Sequence, residues 1–316
     1  MSYIVTGGCG FIGSNFVNYL LETTKDNIFV VDSLTYAGDE SNITKSERVK
    51  IVKRDITQSD CISHLVEFNN IKAIFHFAAE SHVDNSISGP QIFLKTNILG
   101  TFNLLEAIRK HDTSCRFVHI STDEVYGALP HDGPSFLESK VLEPNNVYSA
   151  TKASADLLVR SYNKTYGIDV VTTRCCNNYG PRQHTEKLLP KVISNAYNNI
   201  NIPVYGQGTN VREWIFVDDH CKCIFEIYKN GSAGEIYNIG SGVEINNLDL
   251  VKKVLTKMNK PFSLIKFVKD RPGHDFRYSI DSSKTAAIMG SSFEYKSMED
   301  GLDETIRWYK ELFSKA

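Results

Sequence analysis

Tyr148 and Lys152 stand four residues apart, and Thr122-Asp123-Glu124 precede them in the chain. On a helix, Tyr-x-x-x-Lys sets a phenol and an ammonium one turn apart on the same face. The cation favours the phenolate, so a group whose ordinary pKa is about 10 is expected to act as a base near neutrality. Two adjacent carboxyls beside it offer a proton acceptor and, where one stays neutral, a proton donor. Simple dehydrogenation needs only the Tyr/Lys pair, whereas oxidation followed by elimination needs both sets. Each set alone has an ordinary explanation: a surface lysine on an amphipathic helix that Asn146 would cap, and acids in a solvated turn or helix cap. Ser121 and Thr122 could likewise be plain strand-end hydroxyls. Weight comes from the order: a glycine fingerprint, then acids directly after an apolar strand, then the Tyr/Lys pair.

The glycine fingerprint is Gly7-Gly8-Cys9-Gly10-Phe11-Ile12-Gly13, which follows a predicted strand and opens a predicted helix. Gly7, Gly10 and Gly13 leave the turn free of side chains, and a helix N-terminus then faces a pyrophosphate. Asp32 ends the second predicted strand, where an acid accepts hydrogen bonds from an adenosine ribose and repels a 2'-phosphate; NAD is therefore expected over NADP. Asp55-Ile56 and residues 77–81 also follow strands, at the carboxyl ends where such sheets bind ligands. Asp55 reaches the adenine edge or is a solvated strand-end acid.

These groups need a scaffold that brings strand ends together. Residues 3–5, 28–31, 49–52, 73–77, 117–120 and 170–172 are short β-branched runs, and 11–24, 58–69, 88–111 and 146–166 between them carry helical periodicity. That alternation predicts an α/β fold, a Rossmann-type doubly wound parallel sheet with a smaller C-terminal substrate-binding lobe. Residues 177–181 read as a turn, 185–199 as a helix, and 203–205 and 213–216 as strands. The segment 217–240 is expected to return to the main sheet, with further helices near 246–258 and 298–313. The domain reading is 1–174 plus 217–240 for the dinucleotide, and 175–216 plus 241–316 for the second lobe.

With 316 residues, 41% hydrophobic and 23% charged, the chain has room for two lobes, and its net charge of -2 supplies no electrostatic footprint for nucleic acid or membrane. Its seven cysteines show no paired metal spacing and read as reduced, mostly buried thiols of a cytoplasmic protein. No metal site is expected. His76, His82 and His274 lack a second ligand at metal spacing, and His119 reads as a satisfied sheet histidine. Neither a signal peptide nor a membrane span is expected.

The chain resembles the extended short-chain dehydrogenase/reductases, and within them the dTDP-glucose 4,6-dehydratase family. The resemblance rests on Thr6 to Asn15, residues 32–38, 76–84, 121–127, 148–152, 177–181, Arg212-Glu213-Trp214 and 270–275. Of these, Thr122-Asp123-Glu124 is the specific segment, since epimerases and reductases of this fold are not expected to carry it. The family implies that Tyr148, aided by Lys152, takes the glucose 4-hydroxyl proton as a hydride passes from C4 to NAD. Glu124 takes the C5 proton, neutral Asp123 protonates the departing 6-hydroxyl, hydride returns to C6, and Thr122 holds the C4 oxygen. It also assigns to the cofactor Gly7, Gly10, Phe11, Ile12, Gly13, Asp32, Leu34, Thr35, Asp55, Ile56, Phe77, Ala78, Ala79, Ser81, Thr96, Tyr148 and Lys152. A homodimer through helices such as 88–111 and 146–166 is the family expectation.

For the nucleotide sugar, the resemblance implies Ser81, Thr122, Asn177, Glu186 and Lys187 around the sugar and phosphates. Pro203 and Tyr205 are placed at the base, Arg212, Asn247 and Arg271 on the diphosphate and ribose, and His274 at the substrate edge. Cys9 stands where the family usually has alanine, Cys176 where serine is common, and Arg182 and His184 where bacterial members carry an aromatic pair. Cys9 is as small as the alanine it replaces, so the turn should survive; the other three departures bear on dTDP-glucose versus UDP-glucose, because one methyl in an apolar pocket is worth only ~1–3 kcal/mol. Two other readings remain: a nucleotide-sugar 4-epimerase, which shares the cofactor and Tyr148/Lys152, and a non-catalytic NAD-binding protein.

Overall fold

A computed structural model describes residues 1–111, 114–270 and 273–315. The main sheet is built from β1 (Ser2–Thr6), β2 (Asn27–Asp32), β3 (Val49–Lys53), β4 (Ile71–His76), β5 (Arg116–Thr122), β6 (Val170–Cys175) and a late strand, β10 (Ile236–Ile239). Its order is β10-β6-β5-β4-β1-β2-β3, with every neighbour parallel. The strand order reverses between β1 and β4, which opens a crevice beyond their carboxyl ends.

Period-two alternation sends successive strand residues to opposite faces. Tyr3, Val5, Phe75 and Val118 join one core, and Ile4, Ile74 and Phe117 join the other. On the first face pack α1 (Phe11–Thr23) and α8 (Val217–Asn230), through Phe16, Leu20, Ile224 and Ile227. The second face is covered by α2 (Ser63–Phe68), α5 (Thr101–His111) and α6 (Val147–Tyr166), through Val66, Leu104, Ile108 and Val159.

The helix read over 88–111 runs without interruption from Pro90 to His111, as α4 (Pro90–Phe93), a widened π-helical turn over Leu94–Gly100 and α5, and a separate short helix, α3 (Val83–Ser88), precedes it. Pro90 lacks an N–H and stands at the first position of its helix, so the chain restarts there. Helix α6 begins on a capping box: the Asn146 side chain accepts from Ser149 N, and the Ser149 hydroxyl accepts from Asn146 N.

A second lobe holds β7 (Asn177–Tyr179), α7 (Leu188–Tyr197), β8 (Ile202–Tyr205), β9 (Val211–Phe216), β11 (Glu244–Asn246), α9 (Asn247–Lys257), β12 (Ile265–Val268) and α11 (Met298–Lys315). Its own core contains Leu189, Ile193, Trp214, Leu250, Val254 and Ile306. The segment read as a turn over 177–181 is corrected: Asn177–Tyr179 is a strand paired in parallel with β9. That pairing joins residues far apart in the chain, and Tyr179 is buried in the second core, so nothing local announced it.

All seven cysteines are buried, and among the described residues none forms a disulfide. Among the described residues no helix is long and apolar enough to cross a membrane, and no group of His, Cys, Asp and Glu could hold a metal ion.

Candidate active site

A cavity of about 350 Å³ runs along the carboxyl ends of β1, β2, β4, β5 and β6. At one end lies the glycine turn. Gly7 adopts φ +67°, and a Cβ there would meet Ala78 N at 2.6 Å; a Cβ on Gly13 would meet the Gly7 carbonyl oxygen at 2.2 Å. Only glycine lets the turn close this tightly. Helix α1 starts immediately after Gly10, with its first N–H groups directed at the cavity end. Asp32 is fixed there by two backbone donors, Cys9 N at 2.9 Å and Leu34 N at 2.8 Å. A helix N-terminus, a Cβ-free cradle and an anchored acid fit the pyrophosphate and ribose of a dinucleotide.

At the other end, β5 delivers Thr122 and runs into a short 3-10 turn, Asp123–Tyr126. The Thr122 hydroxyl donates to Asp123 Oδ1 at 3.2 Å and accepts from Glu124 N at 3.3 Å. Asp123 is 2% exposed. Burial, then the charges of Glu124 and Glu213, push its carboxyl well above the ordinary range, against a smaller pull from Arg212. A carboxylic acid kept neutral is a proton donor at neutral pH.

Tyr148 and Lys152 project into the same cavity from α6. Lys152 Nζ donates to the Ile120 carbonyl at 2.8 Å, and burial pulls the ammonium down to about 8. Tyr148 runs against the expectation drawn from Lys152: burial, followed by the Glu124 charge, pushes the phenol well above its ordinary value. Desolvation dominates because the side chain is almost wholly enclosed, and only the Thr122 contact pulls the other way.

Helix α6 is pinned by a residue that sequence reasoning passed over. Asn97, in the π-helical turn, donates to Thr151 Oγ1 and to the Glu80 carbonyl, each at 3.0 Å, and accepts from Glu80 N at 2.9 Å. A buried amide bonding in three directions reveals itself only through tertiary neighbours.

The cavity is lined by Gly7, Gly10, Phe11, Ile12, Gly13, Asp32, Thr35, Asp55, Ile56, Phe77, Ala78, Ala79, Ser81, Thr96, Thr122, Asp123, Glu124, Tyr148, Lys152, Asn177, Glu186 and Lys187. Lys187 Nζ donates to the Ser81 carbonyl at 2.7 Å, and Glu186 accepts from the Tyr36 hydroxyl at 3.3 Å. Glu80, Ser121, Cys175, Cys176 and His184 also line it and were not assigned from sequence. Glu80, Ser121 and Cys176 directly adjoin assigned residues, which was the available signal; Cys175 and His184 lie two positions from Asn177 and Glu186.

Leu34 and five residues of the second lobe lie outside this lining. Leu34 contributes its N–H to Asp32. Pro203 and Tyr205 sit on β8, where the Tyr205 hydroxyl donates to Asp84 at 3.2 Å. Arg212 is buried; its guanidinium donates to the Asp275 carbonyl at 2.9 Å and stacks 4.4 Å over the Tyr278 ring. Asn247 opens α9 with a buried Oδ1 that meets no donor among the described residues. His274 faces Asp270, with Nδ1 2.6 Å from Oδ1. Arg271 lies outside the described residues. Of the other histidines, His76 bonds Thr6 at 2.8 Å and Thr101 at 3.0 Å, and His119 Nε2 lies 3.2 Å from Asp156 Oδ1.

Comparison with known proteins adds an independent line. The family described as GDP-mannose 4,6 dehydratase matches residues 4–305. Agl12 of Haloferax volcanii, a low-salt glycan biosynthesis protein, is 49% identical over 312 residues, 98% of each chain. A dTDP-glucose 4,6-dehydratase of Escherichia coli is 43% identical over 339 aligned positions, 98% of this chain and 93% of its own. Among solved structures, DesIV, a dTDP-glucose 4,6-dehydratase from Streptomyces venezuelae with NAD bound, superposes with a TM-score of 0.94 at 44% identity, over 100% of this chain and 98% of that one.

Proposed function

The chain belongs to the GDP-mannose 4,6 dehydratase family of nucleotide-sugar dehydratases, and we propose that it dehydrates dTDP-glucose to the 4-keto-6-deoxy nucleotide sugar with NAD in the cleft. UDP-glucose is the second candidate substrate. One observation carries this reading: a buried, neutral-leaning Asp123, the adjacent Glu124 and the Tyr148/Lys152 pair share one cavity with a dinucleotide cradle. An epimerase would need only the last two parts.

Bound NAD supplies a hydride acceptor that serves later in the same turnover as the donor. Tyr148 receives the C4 hydroxyl proton, and any positive charge nearby, Lys152 included, opposes the upward shift that burial gives its phenol. Once C4 is a ketone, the C5 proton is acidic and Glu124 takes it. Asp123 gives its proton to the C6 hydroxyl, which leaves as water, and Thr122 orients both the carboxyl and the C4 oxygen. Glu124 then returns a proton to C5. On this reading the cofactor is held by the glycine turn, Asp32 and the residues following β3 and β4.

Support for the thymidine nucleotide comes from the relatives in Escherichia coli and Streptomyces venezuelae. We divide the chain into an NAD-binding unit, 1–174 with 217–240, and a nucleotide-sugar lobe, 175–216 with 241–316. Within that lobe, Asn247 has a polar atom to offer a ligand, and Arg212, Pro203, Tyr205, Arg271 and His274 are assigned to the nucleotide by family resemblance. A homodimer through α5 and α6 is supported by the exposed Phe102 and Leu157 on those helices.

The deciding experiment is incubation of the holoenzyme with each nucleotide sugar, using glucose labelled with deuterium at C4. Loss of one water with the label recovered at C6 of the same molecule is expected. An unchanged mass with inverted C4 would replace this reading with epimerisation.

A further inference from the structure

Behind Tyr148 and Lys152 lies a set of buried charges that the proton transfers above leave unused. Asp156 follows Lys152 by one helical turn on the same face of α6 and is 4% exposed. Its Oδ2 accepts from Arg174 Nε of β6 at 2.9 Å, and its Oδ1 lies 3.2 Å from Nε2 of His119 on β5. Arg174 is itself buried and stacks 4.7 Å over the Tyr126 ring. Lys152 Nζ, by contrast, donates to a neutral acceptor, the Ile120 carbonyl. An ammonium enclosed with neutral partners tends to lose its proton.

The groups facing Lys152 can be named element by element. Helix α6 contributes Asp156, β6 contributes Cys175, β5 contributes His119 and β4 contributes His76, with Tyr148 in the same cavity and Arg174 behind Asp156. Burial keeps both histidines neutral, His119 at about 4, and pushes the Cys175 thiol up to about 12. Asp156 goes the other way: burial pushes its carboxyl up, but the His119 contact and the Arg174 charge outweigh it and hold it at about 2. Among these neighbours Asp156 is therefore the standing anion. A buried ion pair is by itself weak evidence of a stabilising role; its place one turn from Lys152 gives it a different use.

We propose that Asp156 is a positioning residue: clamped by Arg174, with His119 close by, it holds a carboxylate one turn from Lys152 and keeps that ammonium charged at the cavity wall. The inference rests on the assignment of Tyr148 and Lys152 to the chemistry.

Turnover of the holoenzyme is measured across the neutral-to-alkaline range for the unmutated protein, Asp156→Asn and the Asp156→Asn/Arg174→Gln pair. In parallel, the Lys152 13Cε resonance, identified by its loss in Lys152→Met, is titrated. Asp156→Asn is expected to move the alkaline loss of kcat, and the Lys152 titration with it, to lower pH by about one unit. The double variant recovers part of that shift, because Arg174 no longer stands unpaired. A merely structural ion pair would lower kcat evenly at every pH and leave the lysine titration in place. An unshifted titration in either folded variant overturns the proposal. So does a neutral Asp156 carboxyl in the 13C spectrum of the unmutated protein at pH 7, which requires no variant to fold. Absence of nucleotide-sugar turnover in the unmutated enzyme would instead refute the functional reading, and the lysine resonance would still test this one.

Discussion

The Tyr126 hydroxyl donates to Asn238 Oδ1 at 2.8 Å, joining the turn that carries Asp123 and Glu124 to the edge strand β10. Asn238 Nδ2 in turn donates to the carbonyls of Phe136 at 2.9 Å and Asp281 at 3.1 Å. A site at the tips of the central strands is thereby braced from the margin of the sheet. Tyr126→Phe retains the ring beneath Arg174 but strands a buried acceptor. Stability should fall by about 1–3 kcal/mol, read as a lower urea midpoint, with dinucleotide affinity unchanged.

Gly13→Ala tests the cradle. Its Cβ would collide with the Gly7 carbonyl oxygen, so the turn must open. NAD binding measured by calorimetry should weaken by roughly tenfold or more. Unchanged affinity would mean that the pyrophosphate does not sit on this turn.

Asp123→Asn separates donation of a proton from its consequence for stability. The folded protein holds the Asp123 carboxyl above its ordinary range. It therefore keeps a proton that the unfolded chain releases above about pH 4. The stability linked to this group is complete below that pH and is lost as pH rises towards the folded value. Asparagine has no proton to lose, so the melting temperature of the variant should gain on that of the unmutated protein as pH increases. Turnover should fall by about 10²–10⁴, since the C6 oxygen loses its acid. A melting difference that is flat with pH would show that Asp123 is ionised in the folded state.

Leu157, 58% exposed on α6, is an apolar side chain that the described residues leave largely uncovered. If two copies pair through α5 and α6, Leu157→Asp should shift sedimentation from dimer to monomer with far-ultraviolet circular dichroism unchanged. A monomeric unmutated protein would remove the dimer from the proposal.

The parallel sheet was legible because its strands are short β-branched runs separated by helical periods, and the cofactor end because glycine, helix and acid stand in a fixed order along the chain. Where the reading failed, the missing information was long-range. Asn177–Tyr179 becomes a strand only by pairing with β9, and the helix read over 88–111 stands from Pro90 onward but gave no sign of the widened turn that faces Asn97 inward. Arg212 reads as a phosphate fork from its neighbours, and the fold adds contacts that they do not announce: its guanidinium donates to the Asp275 carbonyl and stacks over the Tyr278 ring.

Sequence alone determined which functional groups this protein has and in what order, and with them the family, the doubly wound scaffold and the kind of cofactor its first turn accepts. The tertiary structure decided their protonation. Tyr148 is raised, Lys152 is lowered to about 8, and Asp123 is raised because each is enclosed. Enclosure by remote segments sets the desolvation that decides which form carries charge, and residue spacing along the chain does not encode it.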